Sequence, residues 1–359
     1  MAGLNDYLFE TARSLAEDDT APFSFFDGKR VVITGSTGLI GSQLTRALLC
    51  RNERTRSKSI ELVLPVRNPE KAKALFGNPN SIEYVKWKLG DKMQISGSAD
   101  LFIHAACSTS SKDFSNAPAS TIFQIFDGGA ETLRCAKRLS AKKYLFLSTM
   151  EVYGEMQGDA HENELGSLDP MVVRNSYPEA KRLVECLCAS FNKEFGLPTV
   201  VLRLAQTFGQ GVNPSDMRVF AEFARSAISN NGITLLSDGT KKNSYLSVDD
   251  AVRAIAFTLA KGKSGEAYNA ANNETYCSIK EMAELVLESF SNRNAAITQE
   301  HDPEREATFR KSKNLRLDTT RLESLGWKCS DSLKDMYSAM LKGWSHLQDS
   351  PIKAGPHGA

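Results

Sequence analysis

Short apolar runs alternate with longer helical stretches over roughly the first two hundred residues, and this alternation constrains the fold more than any other feature. The runs are rich in β-branched residues and span residues 30–34, 60–66, 82–87, 100–105, 143–148 and 198–204. They are nearly continuous in apolar character, as in residues 31–33 and 145–147, and strands of a sheet that is covered on both faces must be so. The pattern predicts parallel strands joined by crossover helices, and therefore an α/β fold with a doubly wound sheet.

The overall composition argues against several kinds of partner. Forty-four Lys and Arg residues balance 43 Asp and Glu residues, so the net charge of +1 does not favour binding to nucleic acid or to an anionic membrane. No apolar run approaches the roughly 18 residues that cross a bilayer. The first twenty residues are acidic, unlike a targeting peptide. Seven cysteines without a C-x-x-C pair indicate neither a disulfide framework nor a zinc ribbon. We expect a cytoplasmic protein without a metal site.

The first predicted strand leads directly into a glycine-rich turn and then into a helix. The turn reads Thr-Gly-Ser-Thr-Gly-Leu-Ile-Gly over residues 34–41. Glycines allow the backbone amides of such a turn to approach a pyrophosphate, and the N-terminus of the helix adds partial positive charge. The predicted cofactor-binding residues of this dinucleotide site are Gly35, Thr37, Gly38, Leu39, Ile40 and Gly41.

The residues after the second and third strands bear on which dinucleotide is bound. A carboxylate usually follows the second strand and holds the adenosine ribose, but residues 64–68 contain none. Arg67 can receive the 2′-phosphate of NADP⁺, stack on the adenine of NAD⁺, or be an ordinary surface arginine. Asp91 can accept a hydrogen bond from the adenine amino group or be an ordinary turn residue. We expect NAD⁺, and Arg67 leaves NADP⁺ open.

The candidate catalytic residues lie at the end of the fifth strand and on a later helix. Tyr177 and Lys181 are four residues apart, so on a helix both side chains leave the same face. An ammonium beside a phenol, helped by a cationic nicotinamide, favours the phenolate and makes Tyr177 a base near neutral pH. Tyr177 would take a proton from a hydroxyl group of the substrate, and Thr149 would hydrogen-bond that same hydroxyl. Ser176 and Glu179 are expected to form a capping box at the start of the helix.

With these motifs the chain resembles the extended short-chain dehydrogenase/reductase family, in particular its nucleotide-sugar epimerases, dehydratases and decarboxylases. The resemblance covers residues 29–345 and rests mainly on residues 34–41, 100–106, 148–154 and 177–181. It implies transient oxidation of a sugar carbon, usually C4, by a tightly held nicotinamide cofactor. It also implies that Ala105 and Ala106 contact this cofactor.

The resemblance further implies a division of the chain. Residues 29–210 would form a Rossmann-type dinucleotide-binding domain. Residues 211–345 would form mainly a smaller C-terminal α/β lobe that binds a nucleoside diphosphate sugar, with elements that can interleave with the first domain. Residues 1–28 are predicted to be a helical extension that packs on the body or on a second subunit, and residues 346–359 a tail. The family also commonly forms homodimers through a helical contact that includes the helix starting at Tyr177.

The residues next to the triad bear on which reaction follows oxidation. Dehydratases of this kind carry an aspartate where Met150 stands, and a thioether cannot donate a proton to a leaving hydroxyl. Glu151 matches the glutamate of UDP-glucuronate decarboxylases. However, Asn243 stands in place of their arginine. The adjacent Lys242 carries a positive charge but cannot form the bidentate hydrogen bonds of a guanidinium. A 4-epimerase needs only the oxidising triad. We therefore rank a 4-epimerase slightly above a UDP-glucuronate-decarboxylase-like enzyme, and both above a 4,6-dehydratase.

Further substrate contacts and other classes of function remain open in the sequence. Glu151 is the fourth candidate catalytic residue. The candidates for contact with the sugar or its phosphates are Ser108, Arg174, Gln206, Arg218 and Lys242. A net reductase that consumes NADPH is the alternative that Arg67 suggests. A dinucleotide-sensing protein without turnover is the alternative of another class, and the intact triad argues against it.

Overall fold

The computed structural model describes residues 2–55, 59–107, 114, 116–291, 295–300 and 314–348. The strands are β1 Arg30–Thr34, β2 Glu61–Val66, β3 Ile82–Lys86, β4 Leu101–His104, β5 Lys143–Thr149, β6 Gly158–Ala160, β7 Thr199–Leu204, β8 Gln206–Phe208, β9 Ile233–Leu235, β10 Lys242–Ser247, β11 Ala267–Ala270, β12 Asn272–Ser278, β13 Ile297–Gln299 and β14 Leu315–Leu317. The α-helices are α1 Ala2–Glu17, α2 Leu39–Arg54, α3 Pro69–Phe76, α4 Pro118–Arg138, α5 Ser176–Phe195, α6 Val219–Ser229, α7 Val248–Lys261, α8 Ile279–Phe290, α9 Thr320–Glu323 and α10 Leu333–Gln348.

The main sheet is a parallel sheet of seven strands in the order β11-β7-β5-β4-β1-β2-β3. All six strands that the apolar runs predict are present, with ends that differ by at most one residue. Strand β1 lies between β2 and β4, so the chain reverses its direction of winding there, and a crevice opens at the carboxyl ends of these strands.

Both faces of the central strands of the main sheet are buried, which explains the unbroken apolar stretches within these strands. Val31 and Ile33 of β1 lie in one apolar cluster, together with Leu44 of α2. Val32, between them, lies in the other cluster with Leu133 of α4 and Val184 of α5. Because successive side chains of a strand point to opposite faces, helices must cover both sides of such a sheet. The predicted doubly wound sheet is confirmed.

Elements of the two expected domains interleave in space. Strand β6, from the first part of the chain, belongs to a second sheet of order β12-β10-β14-β6, in which β8 also pairs with β10. Strand β11, from the second part, completes the edge of the main sheet beside β7. The second sheet packs with α6, α8 and α10 around a separate apolar cluster. A smaller α/β lobe therefore lies against the main sheet, built from both sides of residue 210.

The N-terminal helix packs on the body of the same chain. The Tyr7 hydroxyl donates to the Ala339 carbonyl at 3.2 Å, so α1 contacts α10. Asp18, just after α1, forms an ion pair with Arg253 of α7 at 2.8 Å. Helix α1 also packs along α2, which begins at the glycine turn. None of the helices in the described ranges combines the length and apolarity needed to cross a bilayer.

Candidate active site

The glycine turn between β1 and α2 is built so tightly that two of its positions exclude any side chain. Gly35 has φ +73°, and a Cβ there would lie 2.6 Å from the Ala105 carbonyl carbon and the Ala106 nitrogen. A Cβ at Gly41 would lie 2.2 Å from the Gly35 oxygen. The Gly38 amide donates to that same oxygen at 2.9 Å and closes the turn. The first turn of α2 is thereby pressed against the ends of β1 and β4.

The rim of this turn fits the phosphates of a dinucleotide. Thr37 and Gly38 are exposed, and Leu39 and Ile40 are half-buried. The Ser36 hydroxyl is buried and has no hydrogen-bond partner among the described residues. An exposed turn at the start of a 16-residue helix, with an unsatisfied polar atom beside it, is suited to an anion. Residues 37–40 of the turn are thus accessible at the carboxyl ends of the strands, whereas Gly41 is buried.

The two residues predicted near the adenosine both lie in exposed positions. Arg67 follows the last residue of β2, at the same edge of the sheet as the turn, and its side chain is exposed. Asp91 is exposed in a loop after β3, and its backbone carbonyl accepts a hydrogen bond from the Trp87 indole at 2.9 Å. Both side chains are therefore accessible to a ligand.

Thr149, Tyr177 and Lys181 come together beneath the carboxyl end of β5. The Thr149 hydroxyl hydrogen-bonds with the Tyr177 phenol and also accepts the Glu151 amide at 3.2 Å. Lys181 Nζ donates to the Leu147 carbonyl at 2.8 Å and lies 5.9 Å from the centre of the Tyr177 ring. Tyr177 is 6% exposed and Lys181 3%, so β5 and α5 hold both groups out of water.

The charge state of the phenol differs from the simple expectation for a Tyr-Lys pair. Burial raises the pKa of Tyr177 well above its usual value, and the nearby Cys107 and Glu151 raise it further. The hydrogen bond with Thr149 and the charge of Arg174 lower it, but not enough to offset burial. In this structure the phenol is therefore protonated at neutral pH, and its ionisation requires a further positive charge at the site.

His104, at the end of β4, lies close to Lys181 and is neutral. Its Nδ1 is 2.8 Å from the Thr34 hydroxyl, and its ring stacks on Phe146 at 5.6 Å between ring centres. Burial lowers the pKa of His104 to about 3, and the charge of Lys181 acts in the same direction. Of the two neighbouring side chains, Lys181 and His104, only Lys181 therefore carries a positive charge.

Glu151 and Arg174, expected to act on different parts of the substrate, form an ion pair with each other. Glu151 lies in a short 3₁₀ turn, Met150–Tyr153, and Arg174 in another, Val173–Asn175. An Arg174 Nη2 atom is 3.0 Å from Glu151 Oε2, and the side chains are 17% and 21% exposed. The pair therefore lies at a partly buried position beside the triad.

Phe114 is a residue of the site that no sequence signal marked. Its ring stacks on Tyr177 with 4.3 Å between ring centres and 15° between planes.

The expected capping box at the start of α5 is wrong, because Ser176 is the first helical residue and its hydroxyl donates to the Phe114 carbonyl at 3.4 Å. A capping box is present instead at the start of α8, between Ser278 and Glu281.

The other predicted substrate residues lie on the smaller lobe. Gln206 is half-buried at the start of β8. Arg218 is held by Asp216 at 2.6 Å, and Lys242, at the start of β10, is 3.8 Å from Glu281. Ser108 lies outside the described residues. Across the described ranges, no group of three or more His, Cys, Asp or Glu side chains could hold a metal ion.

A cavity of about 360 Å³ lies along α5, beyond Lys181, and is distinct from the triad. Three arginines line it, but each is already bound within the protein. Arg203 pairs with Glu185, Arg321 pairs with Glu266, and Arg182 donates to backbone carbonyls. The cavity therefore offers no unpaired guanidinium to a ligand, and the candidate site remains the crevice at the glycine turn.

Relatives of the chain are found by sequence over most of its length. UDP-glucuronic acid decarboxylase 2 of Arabidopsis thaliana is 29% identical over 342 residues, which cover 92% of this chain and 72% of that protein. UDP-glucuronic acid decarboxylase 1 of Danio rerio is 27% identical, over 84% of this chain and 69% of that protein. The similarity thus extends through both parts of the fold.

Solved structures share the fold at low sequence identity. UDP-glucose 4-epimerase of Thermotoga maritima, 20% identical, has a TM-score of 0.72 over 89% of this chain and 100% of that one. UDP-glucuronic acid 4-epimerase of Bacillus cereus, solved with UDP-glucuronic acid and NAD, is 20% identical with a TM-score of 0.73, over 89% and 99% of the two chains. Residues 31–271 match the sequence pattern of one family. The chain therefore belongs to the NAD dependent epimerase/dehydratase family, as its motifs predict.

Proposed function

We propose that the protein modifies a nucleoside diphosphate sugar by transient oxidation of a sugar carbon, with Tyr177 as the base. The observation that carries this proposal is the buried cluster of Thr149, Tyr177 and Lys181 at the same sheet edge as the glycine turn. The sequence similarity to UDP-glucuronic acid decarboxylases over most of the chain supports the same substrate class.

The residues of the site have separable roles in this reaction. NAD⁺, when bound, supplies the hydride acceptor. The glycine turn and the start of α2 would hold the pyrophosphate of that cofactor. The Thr149 hydroxyl holds the substrate hydroxyl toward Tyr177 Oη, which takes its proton. Lys181, fixed to the Leu147 carbonyl, places a positive charge within the buried site and, with the positive charge that the cofactor brings, favours the phenolate.

Decarboxylation of UDP-glucuronate is the reaction we place first. Oxidation at C4 makes the C6 carboxylate part of a β-keto acid. The C5–C6 bond then breaks, its bonding electron pair forms the enolate across C4 and C5, and CO₂ leaves. A proton then adds to C5, and the hydride taken from C4 returns to C4, so that no net oxidation results. Glu151 provides a carboxylate beside Tyr177 for that step. The sequence motifs alone favour an epimerase slightly, and the similarity to decarboxylases reverses this order.

A 4-epimerase is the second candidate, and Asn243 favours it. This residue lies within β10, paired with Cys277 of β12, and offers no cation for a sugar carboxylate. An epimerase would return the hydride to the opposite face of C4, a step that needs no cation beside a sugar carboxylate.

Incubation with NAD⁺ and a panel of UDP- and dTDP-sugars, followed by mass spectrometry and NMR of the products, tests this proposal. Loss of CO₂ from UDP-glucuronate identifies a decarboxylase, unchanged mass with inverted C4 an epimerase, and loss of water a dehydratase. Tyr177→Phe should lower kcat at least about 100-fold with cofactor binding retained. Tyr84→Phe, which removes an exposed phenol bound to the Gly77 carbonyl, is the matched control. Failure to convert any sugar of the panel would contradict the proposed function.

We also propose a cytoplasmic homodimer. Helices α4 and α5 pack against each other and leave Ile122, Phe123 and Leu183 exposed at 38%, 63% and 45%. Apolar side chains exposed together on neighbouring helices are suited to contact with a second copy. Light scattering of the wild type and of Phe123→Asp tests this, and the variant should be monomeric.

A further inference from the structure

We propose that Arg174 is a positioning residue that holds the Glu151 carboxylate beside the Tyr177 phenol, rather than a residue that binds the substrate. This inference rests on the proposed function, in which Glu151 and Tyr177 both face the sugar. It assigns to Arg174 a role different from the phosphate or sugar contact that its sequence position suggests.

The contact geometry gives Arg174 a partner already. Its Nη2 atom lies 3.0 Å from Glu151 Oε2 and 3.3 Å from Oε1. Both side chains are less than a quarter exposed, so water screens the attraction less than it would at the surface. A sugar carboxylate or phosphate would have to displace Glu151 to reach Nη2, whereas the buried Nε of Arg174 has no hydrogen-bond partner among the described residues.

The position of the Glu151 backbone does not by itself fix the position of the Glu151 carboxylate. Its amide donates to the Thr149 hydroxyl, which fixes the main chain at the end of β5. The side chain extends from a 3₁₀ turn of four residues, and among the described residues Arg174 is the only side chain that forms an ion pair with it. Since a glutamate has three rotatable bonds, the direction of this carboxylate depends on the arginine.

Arg174 is itself held in place by the residues that surround the phenol. Its guanidinium carbon lies 5.2 Å from the centre of the Phe114 ring, and the same ring stacks on Tyr177. The Ser176 hydroxyl ties the Phe114 carbonyl to the first turn of α5. Arg174 and Tyr177 therefore both contact the Phe114 ring. Because this ring fixes the two residues relative to each other, Arg174 holds Glu151 at a defined place relative to the base.

The charges of the pair act on the base in opposite directions. Glu151 raises the pKa of the Tyr177 phenol, after the larger effect of burial, and Arg174 lowers it. Loss of Arg174 would leave a carboxylate beside the phenol without compensation. We therefore expect Arg174→Gln to move the pH profile of kcat toward higher pH, and Glu151→Gln to move it toward lower pH.

A double-mutant cycle on kcat and KM separates positioning from binding. If Arg174 acts through Glu151, Arg174→Gln lowers kcat at least about tenfold with KM changed less than about threefold, and adds no further loss in Glu151→Gln. Arg174→Lys should recover part of kcat, because it keeps the charge. A raised KM at unchanged kcat, or losses that multiply, would mean that Arg174 binds the substrate and would overturn the proposal.

Two further measurements keep the inference separate from general stability and from the proposed function. Arg51→Gln removes a partner from a comparable pair, Arg51–Asp27 at 2.7 Å with 11% and 16% exposure, outside the site, and should leave kcat and its pH profile unchanged. A crystal structure of Arg174→Gln should show the Glu151 carboxylate displaced. An unmoved carboxylate overturns the positioning role whether or not the enzyme turns over a sugar. Inactivity of the wild type counts only against the proposed function.

Discussion

Arg203 of β7 and Glu185 of α5 form a two-point ion pair, about two helical turns beyond Tyr177 on the same helix. Arg203 Nη2 is 2.7 Å from Glu185 Oε2, and Nε is 3.2 Å from both carboxylate oxygens. Arg203 also donates to the Tyr153 hydroxyl at 3.0 Å, and Ser148 of β5 donates to Glu185. The pair therefore joins α5, which carries Tyr177, to β5, to β7 and to the turn that carries Glu151.

Glu185→Gln should destabilise the protein strongly, because it leaves Arg203 buried without its counter-charge. Breaking one partner of such a pair costs about 3 kcal/mol or more. Urea unfolding of the wild type and of the variant measures the change. Glu53→Gln is the control, since Arg13–Glu53 is exposed at 51% and 62% and its loss should cost less than about 1 kcal/mol. Equal effects of the two variants would contradict the buried pair.

Gly41→Ala should damage the cofactor site, because its Cβ would lie 2.2 Å from the Gly35 carbonyl oxygen. The start of α2 must then move away from the turn, and we expect NAD⁺ affinity to fall at least about tenfold. Isothermal titration measures this. Gly343→Ala in α10, where the nearest atoms are 3.7 Å away, is the matched control and should bind NAD⁺ as the wild type does. Unaltered binding by Gly41→Ala would contradict the tight turn.

Asp249 should make the protein less stable as pH rises from about 4 to about 7. Burial, and after it the charge of Asp331, raise the pKa of this carboxyl to about 7. Unfolded aspartate has a pKa of about 4, so within this window the folded state holds a proton that the unfolded state releases. The contribution falls by up to about 1.4 kcal/mol per pH unit across the window and is constant above it. Unfolding at several pH values, with Asp249→Asn for comparison, checks this, and the variant should lack the decline.

Asp100→Asn is the control, because the Asp100 carboxyl changes the stability of the protein with pH in the direction opposite to Asp249. Burial alone would raise the pKa of Asp100, but hydrogen bonds from Lys142 and from the Arg30 amide hold it below its usual value. Its stabilising contribution is therefore present at neutral pH and is lost as pH falls below about 4. A decline between pH 4 and 7 that persists in Asp249→Asn would show that another group causes it.

Arg67 should allow the site to accept NADP⁺ as well as NAD⁺. It is exposed at the end of β2, and no carboxylate in residues 64–68 would repel a 2′-phosphate. We expect the two affinities to differ by less than about tenfold, and Arg67→Glu to weaken NADP⁺ alone by more than about tenfold. Fluorescence titration with both dinucleotides measures this. Lys334→Glu makes the same charge change on α10 and is the control, so it should alter neither affinity. Unchanged NADP⁺ binding in Arg67→Glu would mean that this arginine does not reach the 2′-phosphate.

The features predicted correctly from the sequence depend on residues close together in the chain. The strands of the main sheet follow from local runs of apolar residues, and the glycine turn from its order between β1 and α2. Tyr177 and Lys181 lie together because four residues of helix separate them. The capping box at Ser176 was wrong because the Phe114 carbonyl, from a distant segment, takes the serine hydroxyl.

The features that only the tertiary structure decided join segments far apart in sequence. Local spacing does not show that Arg174 meets Glu151, that Phe114 covers Tyr177, or that β11 completes the main sheet. Burial likewise sets the charge of the phenol, since the cost of removing an ion from water depends on all the residues that pack around it. The sequence by itself therefore determined the fold class and the helical spacing that brings Tyr177 and Lys181 together, because both depend on residues close in the chain. The packing determined the partners of these residues and the protonation of the phenol, because both depend on distant segments.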